Sequence, residues 1–247
     1  RFFDKREVGK AESPFQFIRA QDTSIGDSIL ISPVYGNKAT LNRFVDESPT
    51  VAFLIIRNDS MLYEKYSKGY SRDSYVTTFS MTKTFVSTLI GIAIQEGKIS
   101  SVKDPVTKYI PDLKHKNQFE DVTIEQLLNM TSGVKESLIP YFPFSMQLKF
   151  YYGRRLHHWV KKFRIDQKQK GYFKYSMVAS TQLLAVILEN VTGKTLAQNL
   201  QEKIWTKIGT EFNALWNTDK KNGTEKAFCC LNARPVDFAK FGRLVLN

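Results

Sequence analysis

From Ser80 to Gly97 the chain carries a run that can be accommodated in very few ways. Met81, Phe85, Leu89, Ile92 and Ile94 spread over successive turns of a helix, polar surface is scarce until Gln95 and Glu96, and Gly97 ends the run. A helix this apolar must be buried, so other elements have to be built around it. The segment just before it supplies candidates. Val51–Arg57 is an apolar run, Asn58-Asp59-Ser60 is turn chemistry, and Met61–Tyr66 alternates, which predicts two antiparallel strands joined by a hairpin and closed by Gly69.

Downstream, Asp104-Pro105 and Ile110-Pro111-Asp112 mark a loop-rich connection, and Thr123 opens a helix that ends near Ser132-Gly133. Lys135 to Lys174 is rich in Tyr, Phe, Trp and Pro with weak periodicity, which predicts loops and short helices. Thr181–Glu189 carries Leu183, Leu184, Val186, Ile187 and Leu188 and stops near Gly193, and Thr195–Ile208 reads as one more helix. Residues 1–44 are polar and irregular and read as an N-terminal wrap. Strands, a buried helix, a helical middle and late strands fit an α/β lobe with a helical insertion better than a doubly wound sheet.

At 247 residues, 42% of them hydrophobic, the chain can bury a substantial core. Its 36 Lys and Arg against 24 acidic residues, a formal +12, raise the question of a polyanionic partner. The densest basic patch, Lys161, Lys162, Arg164, Lys168 and Lys170, lies between aromatic runs without any nucleic-acid-binding signature, so a solvated basic face is expected and no nucleic acid. No apolar run approaches the roughly 20 residues of a transmembrane helix, and no metal-ligand spacing is present. Cys229 and Cys230 are adjacent, where a disulfide needs unusual geometry, and are expected as core thiols.

Ser-x-x-Lys occurs three times, at Ser80–Lys83, Ser100–Lys103 and Ser132–Lys135. The last two fall in polar, turn-forming surroundings where side chains are solvated. Ser80 instead stands where an extended segment, Tyr75–Phe79, gives way to the apolar helix, so the first-turn N–H groups are unpaired and can receive an oxyanion. Lys83, one turn on, lies on the same face. Burial there disfavours its charged form, and a neutral amine can take the serine proton. A Ser-His-Asp arrangement has only His115, His157 and His158 to draw on and no Gly-x-Ser-x-Gly elbow.

Phe79-Ser80-Met81-Thr82-Lys83, the segment Ile124-Glu125-Gln126-Leu127-Leu128-Asn129-Met130-Thr131-Ser132-Gly133, and Thr181-Gln182-Leu183-Leu184 followed by Leu188-Glu189 and Val191-Thr192-Gly193 together carry a resemblance. From about Thr50 to Asn247 the chain resembles the serine β-lactamase and penicillin-binding-protein superfamily of class C type, in the branch similar to 6-aminohexanoate-dimer hydrolases and related esterases. The family's second motif, a tyrosine opening Tyr-x-Asn or Tyr-x-Ser, is matched by Tyr175-Ser176-Met177, with Met177 where the pattern carries Asn or Ser. Tyr172 is a rival for the tyrosine. The resemblance gives Tyr175 a proton-shuttle role and makes Ser176 and Tyr141, the latter in Tyr-Phe-Pro-Phe, substrate-binding residues.

What the resemblance implies is a β-lactamase/transpeptidase-like α/β (α+β) fold, with an antiparallel sheet lobe flanked by helices plus a mostly helical insertion. The expected division is 1–44 as the wrap, 45–99 with 228–247 as the α/β lobe, and 100–227 as the helical lobe. The family's third motif and its C-terminal strands would lie beyond Phe238–Arg243, so the sequence looks like a portion of a longer protein. The implied activity is that of a serine hydrolase acting through a covalent acyl-enzyme on a small ester or short amide, with Ser80, Lys83 and Tyr175 catalytic and no metal or organic cofactor. β-Lactamase or D,D-peptidase-like turnover is also within the superfamily's range. A non-catalytic ligand-binding member of the same fold is the alternative. Related proteins are often exported to the bacterial envelope.

Overall fold

Asn58 and Asp59 both adopt positive φ, 50° and 60°, the backbone that closes a two-residue hairpin with the twist its strands require. This turn joins two strands of a computed structural model that describes residues 3–20, 22, 24–32, 38–114, 118–136 and 145–246. In chain order the strands are β1 (Lys5–Val8), β2 (Ile18–Arg19), β3 (Leu30–Ile31), β4 (Ala39–Thr40), β5 (Ala52–Arg57), β6 (Ser60–Tyr66), β7 (Val76–Thr77), β8 (Ala214–Asn217) and β9 (Leu231–Ala233). The helices are α1 (Ile25–Ser28), α2 (Leu41–Glu47), α3 (Thr82–Gln95), α4 (Val106–Tyr109), α5 (Ile124–Leu128), α6 (Met146–Tyr152), α7 (Leu156–Val160), α8 (Ala179–Thr192), α9 (Leu196–Leu200) and α10 (Pro235–Leu246). Among the described residues no helix is long and apolar enough to cross a membrane.

The chain divides into two compact units. One comprises residues 10–76, 206–213 and 233–247. Here β5 and β6 form the expected antiparallel hairpin, Ala52 opposite Tyr66, and β2 joins β6 in parallel. Because successive strand residues face opposite sides, Leu54 and Ile56 pack with Met61, Phe17 and Val236 on one face. Phe53 and Ile55 pack with Tyr63, Leu41 and Val45 on the other.

The second unit comprises residues 1–9, 77–205 and 214–232. Its sheet runs β1-β8-β9-β7, with Lys5 opposite Asn217 and Leu215 opposite Asn232 in antiparallel register. The first residues, expected as an irregular wrap, thus contribute a strand. α8 is buried continuously from Ala179 to Leu188 and packs against α3, α4 and α5. Gly193 ends it in the left-handed conformation, φ 66°, that favours glycine at this position. α5 and α9 each open on a capping box, Thr123 with Gln126 and Thr195 with Gln198. α3 buries the stripe Thr82, Phe85, Val86, Leu89, Ile90 and Ala93, leaving Ser87 and Gly91 exposed. α3 packs on α8.

Cys229 and Cys230 are joined by a disulfide across a single peptide bond, in place of the expected free thiols. Cys230 carries φ of 74°, a left-handed backbone that non-glycine residues seldom adopt.

Candidate active site

The site is assembled within the second unit. Thr78 anchors the turn before α3: its N–H and its hydroxyl both donate to the Leu231 carbonyl, at 3.0 and 3.1 Å. With that hydroxyl proton committed, the buried Thr82 hydroxyl donates to Thr78 Oγ1 over 2.6 Å. The next residue, Phe79, takes φ of 43°, a conformation a non-glycine residue adopts at a cost of order 1 kcal/mol. It starts a single 3-10 turn, Phe79–Met81, that leads into α3. Ser80 sits exposed at its centre, and among the described residues no backbone acceptor takes its N–H.

One turn on, the half-buried Lys83 turns its Nζ back to Ser80. The amine donates to Ser80 Oγ at 3.1 Å and to the Phe228 carbonyl at 3.0 Å. Phe228 is itself fixed, fully buried and edge-on to Tyr151 and Phe150. Burial lowers the Lys83 pKa below the ordinary lysine value of 10.5, opposed by Tyr175 and by the negative charge of Glu136. The cause is desolvation, which disfavours the charged form of an amine.

Tyr175 arrives from a distant segment. Residues 130–136 and 164–176 run side by side. Asp166 N–H donates to Gly133 O at 2.7 Å, Lys135 N–H to Arg164 O at 2.8 Å, and Lys174 N–H to Met130 O at 3.0 Å. Gly133, at φ of 70°, is required here, because a Cβ would come within 2.6 Å of the Asp166 carbonyl. The Tyr175 ring is half exposed and its centroid lies 5.4 Å from Lys83 Nζ. Tyr175, and not the 70% exposed Tyr172, is thus the tyrosine that faces the amine.

The other two Ser-x-x-Lys stretches make no such pair. Lys103 bonds Glu125, Ser100 Oγ accepts from Lys108, and Lys135 lies 3.9 Å from Asp166. His157 and His158 are exposed on α7. Ser176 is only 5% exposed, its hydroxyl donating to Glu136 Oε1 at 2.6 Å and accepting from Ser180 N–H at 2.9 Å. Tyr141 and His115 lie outside the described residues. Glu136, which no sequence pattern singled out, accepts from Ser176, Met177, Val178 and Ala179 together.

A hydroxyl in contact with an amine of lowered basicity, beside a phenol, can be deprotonated and can attack an acyl carbon. Among the described residues no cluster of three or more His, Cys, Asp or Glu side chains is placed to hold a metal ion.

Comparison with known proteins bears on the same residues. The family model described as Beta-lactamase matches residues 38–222. A 6-aminohexanoate-dimer hydrolase of Paenarthrobacter ureafaciens is 27% identical over 219 residues, covering 84% of this chain and 54% of the relative. A solved structure of a candidate 6-aminohexanoate-dimer hydrolase from Bacillus anthracis superposes with a TM-score of 0.88 at 27% identity, covering 100% of this chain and 66% of that one. A class C β-lactamase from Rhodobacter sphaeroides, at 19% identity and TM-score 0.52 over 72% of this chain and 56% of its own, shares the fold. The chain spans about half the length of the curated relative. Its sequence match and its architecture agree, and the chain belongs to the β-lactamase family, a family of hydrolases, with a β-lactamase/transpeptidase-like fold.

Proposed function

We propose that the protein is a serine hydrolase that cleaves small linear amides or esters through an acyl-enzyme on Ser80. The single observation that carries this reading is the 3.1 Å approach of the Lys83 amine to Ser80 Oγ, made by an amine whose burial favours its neutral form. In the resting contact the ammonium donates. Once neutral, the same pair works in reverse, and Lys83 accepts the Ser80 proton as Oγ attacks the substrate carbonyl.

Negative charge then develops on the carbonyl oxygen, and the Ser80 N–H, which has no backbone acceptor among the described residues, is a donor for it. Tyr175, beside the amine, relays the proton to the departing amine or alcohol, the C–N or C–O bond breaks, and an ester to Ser80 remains. Water attacks that ester, its proton passing to the Lys83 and Tyr175 pair, and Ser80 recovers its own as the acid leaves. Substrate choice follows the Paenarthrobacter relative, whose name specifies a 6-aminohexanoate dimer. This favours a short amide or ester over a β-lactam.

The test is hydrolysis of p-nitrophenyl acetate, nitrocefin and the linear 6-aminohexanoate dimer by the full-length protein and by Ser80→Ala. The reading predicts that the ester and the dimer are turned over and that Ser80→Ala loses about a thousandfold or more in kcat. Equal rates from both proteins contradict it and leave a non-catalytic ligand-binding member of the fold.

A further inference from the structure

One carboxylate near the site is used in a way that neither the family match nor the reaction accounts for. The segment that carries Tyr175 is irregular, and its half-exposed ring is not held by burial. It leads directly into α8, whose N-cap, Val178, offers no side-chain acceptor. The first N–H groups of a helix need acceptors, and here they come from a residue some forty positions earlier. Glu136 Oε1 accepts from Ala179 N–H at 2.7 Å, from Val178 N–H at 3.1 Å and from the Ser176 hydroxyl at 2.6 Å. Its Oε2 accepts from Met177 N–H at 3.0 Å. Four donors from four consecutive residues therefore converge on one carboxylate, and the chain leaves that cluster at the residue next to Tyr175.

Charge-assisted bonds of this kind are about twice as strong as neutral ones and fix direction. The Ser176 hydroxyl extends the cluster by accepting from Ser180 N–H, so the tyrosine segment and the start of α8 form one locked unit. We propose that Glu136 is the positioning residue of this site, holding the Tyr175 phenol at the Lys83 amine by gathering Ser176, Met177, Val178 and Ala179 onto its carboxylate. The proposal rests on the serine-hydrolase reading above.

Glu136 acts on the same amine through space. The groups facing Lys83 Nζ among the described residues are the Ser80 hydroxyl, the Phe228 carbonyl, the Tyr175 phenol and, farther off, the Glu136 carboxylate. Glu136 is the carboxylate among them, and it favours the ammonium. Removing its charge moves Lys83 further toward the neutral form. A purely structural carboxylate would leave the pH at which Lys83 titrates unmoved, so the two roles are separable.

The experiment measures kcat, KM and the pH profile of p-nitrophenyl acetate hydrolysis by the full-length protein, its Glu136→Gln and Ser176→Ala variants, and Ser80→Ala as reference. Glu136→Gln is expected to lose about a hundredfold in kcat, the effect of a misplacement of order 1 Å. Its KM stays within about threefold, and its acid limb moves to lower pH. Ser176→Ala keeps the charge and loses one tether, so its kcat falls by about tenfold with the limb in place. A folded Glu136→Gln with kcat within about threefold of the parent, or with an unmoved acid limb, overturns the proposal. If Glu136→Gln does not fold, Ser176→Ala decides: a lowered kcat at unchanged KM supports the proposal, and an unchanged kcat overturns it. Activity that survives Ser80→Ala would instead remove the reading beneath. An inactive Ser80→Ala beside an unaffected Glu136→Gln removes only the role of Glu136.

Discussion

Lys83 Nζ is held between two oxygens, Ser80 Oγ at 3.1 Å and the Phe228 carbonyl at 3.0 Å, so its place is set by the backbone after β8 as well as by its own helix. Arginine cannot substitute there, because a guanidinium does not lose its proton and so cannot act as base. Lys83→Arg and Lys83→Met are expected to lose about 10² to 10⁴ in kcat. Removing a partly desolvated charge leaves the thermal midpoint of Lys83→Met equal to or above that of the parent. Steady-state kinetics beside a melting curve checks both halves.

The direction of the pH dependence follows from the same lysine. In the proposed mechanism the base is the neutral amine, so the rate is expected to rise with pH as Lys83 loses its proton, along a limb that burial brings below the ordinary value of 10.5. A kcat/KM profile of the parent is expected to climb and level off before that value. A limb at or above it would mean that the amine is fully solvated.

Gln182 ties α8 to the turn that delivers Phe228. Its Nε2 donates to the Glu225 carbonyl and its Oε1 accepts from Ala227 N–H, each at 3.1 Å, with the side chain wholly buried. Gln182→Leu strands both backbone groups, and unsatisfied buried groups cost about 1 to 3 kcal/mol. Urea unfolding is expected to register that loss, with the midpoint moved to lower urea.

Glu189 makes stability depend on pH in a stated direction. Burial, and then the charge of Glu225, raises its pKa from 4.5 to about 7, against the pull of Arg6. Between those values the folded chain holds a proton that the unfolded chain has released. Stability due to this group is therefore full below about 4.5 and lost as pH rises through about 7. Glu189→Gln is expected to flatten this slope and to gain about 1 to 3 kcal/mol at pH 8 relative to the parent. Urea titrations at pH 5 and pH 8 measure it.

What could be read in the sequence was what local chemistry encodes. Helical spacing places Ser80 and Lys83 on one face, Asn58-Asp59 closes its hairpin, and helices open at Thr123 and Thr195 as expected. Glu136 was not legible, because its four donors lie some forty residues away and the pairing of residues 130–136 with 164–176 leaves no periodic trace. β1 was missed because Lys5-Arg6-Glu7-Val8 lacks the alternation of a half-buried strand; Arg6 instead makes an ion pair with the buried Glu225. The Cys229–Cys230 disulfide escaped because adjacency alone argues against it, and the positive φ of Cys230 that accompanies it has no signal in the sequence.

The central claim is that Ser80 is a primed nucleophile, and a fluorophosphonate tests it most directly. After incubation of the full-length protein with the reagent, mass spectrometry is expected to find one covalent phosphonyl adduct on the peptide bearing Ser80 and none on Ser80→Ala. No adduct on the parent, or an adduct that persists when Ser80 is replaced, would contradict the account.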